Sequence, residues 1–228
     1  MQAFRNQVFV VLARVFNHIF WPLLASELLF FVRTSRLKNI MKRLFVIPML
    51  VPGIVNTMIW KYLYNPNYGF DNLLNRIGMT NLAKDWLNDP STAMFAVLFA
   101  GFPFVSGLYF LIMHTGLDMV DREIYDAAII DGATSLQVVY YIHLPNMVQY
   151  ARTIATLSLI GALGEYASIA ALTGGGPGFA TTLPALVMYR KAFSDGEFGA
   201  ASAMGMIIMI EILIFTLIFR KLSAMKEA

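Results

Sequence analysis

Residues 121–145 read DREIYDAAIIDGATSLQVVYYIHLP, a partly acidic segment set between long apolar runs. The pattern predicts two short helices separated by a glycine, because Gly132 stands where a left-handed residue would end the first helix. We expect Asp118 to cap the first helix and either Thr134 or Ser135 to cap the second. A soluble-looking segment of this kind between apolar runs is typical of a structured loop outside the membrane.

The first of these two helices is expected to present a face to another protein. Ala128 and Gly132 are four residues apart and therefore share one face, with Ala127 beside them. A face of methyl groups and a glycine lets another backbone approach closely. Asp121 and Glu123 fall in the first turn, where acidic side chains interact favourably with the helix dipole.

The composition indicates that most of the chain lies in lipid. Hydrophobic residues make up 58% of the 228 residues and charged residues 14%, whereas soluble domains carry about 25% charged residues. The absence of cysteine excludes disulfides and thiolate metal sites. The net charge of +3 does not indicate nucleic-acid binding. His18, His114 and His143 match no metal-ligand spacing, so we expect no metal site.

Several stretches are apolar enough to cross a membrane, since a spanning helix needs about 20 mainly apolar residues. The five predicted spans are residues 7–32, 40–64, 92–115, 147–172 and 199–220. We therefore expect an all-α polytopic membrane protein with one transmembrane domain over residues 1–228. The segment 118–146 lies between the third and fourth spans, and Pro145 is expected to open the fourth, where its missing N–H costs nothing.

The distribution of Lys and Arg predicts the topology. The loop between the first two spans is rich in basic residues and is therefore expected in the cytoplasm. Those residues are Arg33, Arg36, Lys38, Lys42 and Arg43. Alternation then places residues 65–91 and 173–198 outside, the segment 118–146 in the cytoplasm, and Met1 outside.

The segment 121–145 also contains a spaced motif. It reads Asp126-Ala127-Ala128, three residues, Gly132, nine residues, Ile142, one residue, then Leu144-Pro145. This resembles the cytoplasmic coupling motif of permease subunits of type I ABC importers, with Asp126 in place of the usual Glu. The run LTGGGP at 172–177 resembles the carbohydrate-uptake branch of that family, and WKYLYNP at 60–66 is a further match to the family. Permeases of this family usually carry one more helix ahead of these five.

The resemblance implies a non-catalytic permease subunit that couples ATPase motion to alternating access for a sugar or similar polyhydroxylated solute. It implies two ABC ATPase subunits, a second and related permease, an extracytoplasmic solute-binding protein, membrane lipid, and a bacterial cytoplasmic (inner) membrane location. No G-x-x-x-x-G-K-[S/T] loop occurs, so ATP is expected on the partner subunits and no cofactor on this chain. The residues assigned to ATPase coupling are Glu123, Asp126, Ala127, Ala128, Asp131, Gly132, Ile142, Leu144 and Pro145.

Polar residues inside the spans are candidates for a solute pathway, because intramembrane polar groups usually face a bundle interior. The candidate residues are Asn56, Ser106, Tyr109, Ser158, Gly161, Glu165, Tyr166 and Ser168. Four of them are expected on one face of the fourth span, with Tyr166 nearby: Ser158, Gly161, Glu165 and Ser168. Helix–helix packing is the competing interpretation for small residues. Glu165 is the strongest pathway candidate, whereas Glu27 and Glu211 are expected to pair with Arg14, His18 or the basic loop.

A glycine run closed by a proline follows the fourth span and should end its helix sharply. These outer-loop residues are Gly174, Gly175, Gly176 and Pro177. In the resembled family this loop touches a solute-binding protein or helps to gate the outer mouth. A flexible connector is the alternative interpretation.

Three other functions remain open at this point. The same type of machine can carry another solute, such as an amino acid, a peptide or an oxyanion, because the coupling motif is shared. An ATP-independent carrier or channel is a second alternative. A membrane enzyme that uses His114, Asp118 or Glu165 is a third.

Overall fold

The computed structural model describes residues 1–224, and within that range every regular element is helical. The α-helices are α1 Gln2–Phe30, α2 Ser35–Val46, α3 Gly53–Leu63, α4 Phe70–Arg76, α5 Ala93–Phe99, α6 Gly107–Asp118, α7 Arg122–Ile130, α8 Ser135–Val138, α9 Leu144–Leu163, α10 Ala167–Leu172, α11 Pro184–Phe193 and α12 Phe198–Ala224. Two 3-10 turns, Ile47–Leu50 and Thr80–Leu82, and a π-helical turn, Val139–His143, complete the secondary structure of this range. The predicted all-α fold is confirmed.

Two helices are each long and apolar enough to cross a membrane alone: Gln2–Phe30 and Phe198–Lys221. The pair Ser35–Leu50 and Gly53–Leu63 adds a third candidate if the two form one span. By length and composition the described chain therefore has two or three such spans, and the number of five stays a prediction.

The expectation that residues 40–64, 92–115 and 147–172 are each one continuous helix is wrong. In the first stretch Pro48 and Pro52 interrupt the helix, because proline removes a backbone donor and constrains the residue before it. In the second, the backbone turns through Pro103 and α6 begins only at Gly107. In the third, α9 ends at Leu163 and α10 begins at Ala167.

Contacts between Cα atoms divide the chain into two compact units. One comprises Met1–Arg14, Val51–Phe102 and the chain from Leu159 onward; the other comprises Val15–Leu50 and Pro103–Ser158. The core of the first unit contains Trp60, Ile169, Leu183 and Leu186, all less than 9% exposed, which come from α3, α10, α11 and the residue before α11. The expectation of a single domain over residues 1–228 stays a prediction.

The second unit packs α2 closely against α6. Phe45 and Phe110 place their ring centroids 4.9 Å apart. A Cβ added at Gly107 would lie 3.0 Å from the Cβ of Met49 and 3.3 Å from the backbone oxygen of Phe45. A side chain at this position would therefore make its neighbours shift by a few tenths of an ångström. Ala25, Leu29 and Phe110 form the buried centre of this unit.

Candidate functional site

The predicted coupling helix is present as α7. Its N-cap is Asp121, whose carboxylate accepts a hydrogen bond of 2.9 Å from the backbone N–H of Glu123. The prediction that Asp118 would cap this helix is wrong, because α6 continues through Asp118, which pairs with Lys42 at 3.4 Å. At the other end Gly132 has a φ of +80°, as a left-handed helix terminus requires.

The docking face proposed for α7 is open. Ala127 and Gly132 are exposed and Ala128 is half-buried. A Cβ added at Gly132 would meet no heavy atom of the described residues within 4 Å. The acidic side chains assigned to coupling, Glu123, Asp126 and Asp131, are also exposed. A partner could therefore reach the whole face without displacing the chain itself.

Behind the glycine, the chain forms one uninterrupted run of helix from Ser135 to Leu163. It opens with a capping box in which Thr134 and Gln137 satisfy each other's backbone N–H groups. Thr134 is one of the two residues predicted to cap this helix. The prediction that Pro145 opens a helix is wrong, because the π-helical turn Val139–His143 carries the helix through it.

The wider π turn offers a physical reason for that continuity. Pro145 has no N–H to donate to the turn before it, and a wider turn tolerates this missing bond. The side-chain amide of Asn146 donates to the backbone oxygen of Ile142 at 2.7 Å. Ile142 and Leu144 are half-buried and Pro145 is exposed. The second half of the motif is therefore part of the same rigid helix as α9.

Glu27 has a different partner from those expected. Its carboxylate Oε2 lies 2.8 Å from Nδ1 of His143, and both residues are buried. No local sequence pattern indicates this pair, because 116 residues separate the two side chains. The pairing attaches the motif segment to the last turns of α1.

Glu165, the strongest pathway candidate, forms an ion pair. Nη1 of Arg14 lies 2.8 Å from Oε2 of Glu165, and Oε1 of Glu165 accepts hydrogen bonds from the backbone and hydroxyl of Ser168 at 3.1 and 3.0 Å. Arg14 also donates to the Ser168 hydroxyl at 3.3 Å. The cluster lies where the fourth predicted span is broken, and Glu165 both accepts a backbone N–H in the first turn of α10 and pairs with Arg14.

A second cluster contains two predicted pathway residues and His18, which was not among the pathway candidates. His18 of α1 lies 2.8 Å from the hydroxyl oxygen of Ser158 through Nδ1, and its ring centroid is 4.6 Å from that of Tyr109. The spacing of four between Arg14 and His18 on an otherwise apolar helix could have indicated a polar face.

The remaining pathway candidates do not join these clusters. Asn56 and Gly161 are exposed, and Ser106 precedes the first turn of α6. Tyr166 stacks on Tyr189 of α11 with centroids 5.0 Å apart. The predicted single face from Ser158 to Ser168 is wrong, because the helix ends at Leu163 and a new one begins at Ala167.

The glycine-rich loop that was predicted to face outward is tightly structured. The hydroxyl of Thr182 donates to the backbone oxygen of Gly175 at 2.8 Å, and the amide of Asn6 donates to the backbone oxygens of Phe179 and Thr182 at 3.0 Å. Arg190 of α11 donates to the backbone oxygen of Gly174. These bonds argue against a flexible connector.

Two of the loop glycines adopt backbone conformations that L side chains avoid. Gly174 and Gly175 have φ values of +59° and +85°. A Cβ on Gly175 would lie 2.8 Å from Thr182 and Leu186. Gly176 and Pro177 are half-buried in the same turn. The glycines thus allow the close packing of this loop.

Among residues 1–224 no group of three or more His, Asp or Glu side chains is arranged to hold a metal ion. His114 is buried, stacks on Phe110 and lies 3.5 Å from a carboxylate oxygen of Asp118.

Comparisons with known proteins indicate the family of the chain. The chain is 28% identical over 221 residues to the probable ABC transporter permease protein YurN of Bacillus subtilis (strain 168), covering 96% of this chain and 76% of YurN. It is 30% identical over 199 residues to the trehalose/maltose transport system permease protein MalF of Thermococcus litoralis, covering 86% of this chain and 66% of MalF.

A crystal structure shares the fold. It is that of a bacterial alginate ABC transporter in complex with an alginate pentasaccharide-bound periplasmic protein, with a TM-score of 0.87 at 18% identity over 97% of this chain and 77% of that one. One protein family matches this chain over residues 11–225. The chain therefore belongs to the binding-protein-dependent transport system inner membrane component family, which confirms the predicted membrane location.

Proposed function

We propose that this chain is the permease subunit of an ATP-driven importer for a carbohydrate. The observation that carries the proposal is α7, which has an open face of small residues, ends in a left-handed Gly132 and lies in a segment that continues as rigid helix into α9. A short rigid helix joined firmly to a long apolar helix suits the transfer of motion from a cytoplasmic partner to the membrane.

The carbohydrate cargo is supported by the relatives. MalF is named for trehalose and maltose transport, and the similar crystal structure is an alginate transporter. The clusters around Glu165 and His18 supply hydrogen-bonding groups on apolar helices, as a polyhydroxylated solute would need.

The proposed partners follow from the same arrangement. Two ABC ATPase subunits would bind and hydrolyse ATP, and this chain would carry neither a cofactor nor a catalytic residue. A second, related permease would complete the membrane part, and an extracytoplasmic solute-binding protein would deliver the solute. Binding of ATP would move α7, and α9 would carry the motion into the membrane.

Reconstitution in proteoliposomes with the candidate ATPase, second permease and binding protein tests the proposal. We expect uptake of labelled trehalose, maltose or a longer saccharide that requires ATP and stops when the ATPase is omitted. Uptake that continues without the ATPase would instead indicate an ATP-independent carrier. Uptake of an amino acid or oxyanion but of no saccharide would overturn the cargo assignment.

A further inference from the structure

Beyond the motif, the structure contains one buried acid–base pair. Nδ1 of His143 lies 2.8 Å from Oε2 of Glu27; the side chain of His143 is 0% exposed and that of Glu27 is 10% exposed. Among the described residues, Nε2 of His143 and Oε1 of Glu27 have no hydrogen-bond partner. The pair is therefore held by one short contact in a closed environment.

Such a pair is a poor way to gain stability. Burying polar groups whose hydrogen bonds are incomplete costs free energy, and apolar side chains of similar volume often stabilise a fold more. The hydrogen bond instead fixes the distance between the two helices and their relative orientation. The arrangement suggests positioning and not simple packing.

The neighbours of the pair extend the connection to α7. Phe30, three residues after Glu27, packs edge-on against His143, with centroids 4.5 Å apart, and against Tyr125 of α7, with centroids 5.4 Å apart. The amine of Lys38 lies 5.7 Å from the centre of the Phe30 ring. The last turns of α1 therefore touch both halves of the motif segment.

The π-helical turn contributes to this geometry. His143 is the last residue of Val139–His143, and a π turn accommodates one residue more than an α turn. This insertion changes which residue of the following turn faces inward. It brings a histidine into the interior two positions before the exposed residues Pro145 and Asn146.

We propose that Glu27 and His143 are positioning residues that lock the coupling segment to α1, so that ATPase motion moves α1 together with α9. This inference rests on the proposed function. Loss of the pair would leave the ATPase docked at α7 and able to hydrolyse ATP, but α1 would no longer follow. The expected defect is a loss of solute transported per ATP hydrolysed.

The test uses the assembled complex in proteoliposomes and measures three quantities: co-purified ATPase, ATP hydrolysis, and solute transported per ATP. Glu27→Gln and His143→Asn should retain the ATPase and its hydrolysis but lower transport per ATP about fivefold or more, within the usual range of coupling between sites. Glu211→Gln, which also removes a carboxylate from a long apolar helix, is the matched control and should change nothing.

A double variant separates positioning from stability. Glu27→Leu combined with His143→Phe should restore thermal stability, because an apolar pair replaces a buried polar one, but it should not restore transport per ATP. Restoration of both would make the pair a packing element and overturn the inference. An unchanged ratio in the single variants, or loss of the assembled complex in both, would overturn it as well. Absence of ATP-dependent uptake by the native complex would instead refute the proposed function.

Discussion

The break between α9 and α10 allows a quantitative prediction for Glu165. In Glu165→Gln the amide oxygen can still accept from Ser168, so the change mainly removes the charge that faces Arg14. The two side chains are 27% and 14% exposed, between a surface pair and a fully buried one. Exposed pairs contribute about 0–1 kcal/mol and breaking a buried one costs about 3–5 kcal/mol. We therefore expect a loss of about 2 kcal/mol for this half-buried pair.

Thermal unfolding of the detergent-purified chain measures this loss. For a chain of this size about 2 kcal/mol lowers Tm by roughly 4–8 °C. Glu165→Ala should lower it further, because the backbone N–H of Ser168 then also loses its acceptor. A shift under about 2 °C for Glu165→Gln would refute the reasoning, since the pair would then be worth no more than an exposed one.

The control is Glu211→Gln on α12. One carboxylate oxygen of Glu211 is buried and has no hydrogen-bond partner among residues 1–224. Because this oxygen lacks a partner among the described side chains, removing the charge should leave Tm unchanged or raise it. A fall equal to that of Glu165→Gln would show that the effect comes from losing any intramembrane carboxylate.

Two further substitutions test the packing and the cap. Gly107→Leu should lower Tm by overpacking, at a cost of about 1–3 kcal/mol in the free energy of unfolding, because an added Cβ already lies 3.0 Å from Met49. Gly161→Leu is the control and should leave Tm unchanged, since its Cβ would meet nothing within 4 Å. Equal Tm shifts in the two variants would contradict the close contact of α2 with α6. Thr134→Ala should lower the free energy of unfolding by about 1 kcal/mol and should speed hydrogen exchange of the α8 amides, because it removes the capping box. Thr134→Ser keeps the hydroxyl and should not speed the exchange. Equal exchange rates in the two variants would contradict the cap.

The sequence predicted the local features of the motif segment well. The left-handed Gly132 and the cap at Thr134 each depend on a few neighbouring residues, so local preference was enough to find them. The prediction that Asp118 caps the next helix is wrong because α6 continues further than its apolar pattern indicated. The prediction that Pro145 opens a helix is wrong because a π turn, which has no simple sequence signal, precedes it and continues into α9.

The interrupted spans and the polar pairs were less predictable. Apolar composition measures how well a stretch suits lipid but does not show where the helix breaks. The predicted spans therefore ran through Pro48, Pro52 and Gly164, close to which the helices break. The partners of Glu27 and Glu165 are 116 and 151 residues away along the chain. Only the tertiary arrangement brings such side chains together, so pattern reasoning could identify the acids but not their bases.

The central claim is that α7 docks an ATPase through the face that ends at Gly132. Two glycines allow a matched comparison: Gly132 and Gly78 have φ values of +80° and +82°, and an added Cβ at either meets nothing within 4 Å. A Trp at either position therefore carries a similar backbone cost, roughly 1–2 kcal/mol. Gly78 lies in the loop predicted to face outward, so it tests that cost without touching the docking face.

The most direct measurement is co-purification of the candidate ATPase in mild detergent with the native chain, Gly132→Trp and Gly78→Trp. The account predicts that the native chain and Gly78→Trp retain the ATPase and that Gly132→Trp loses it while still inserting into the membrane. Equal retention by all three chains would place the docking surface elsewhere. Retention by none of them would contradict the coupling role of α7.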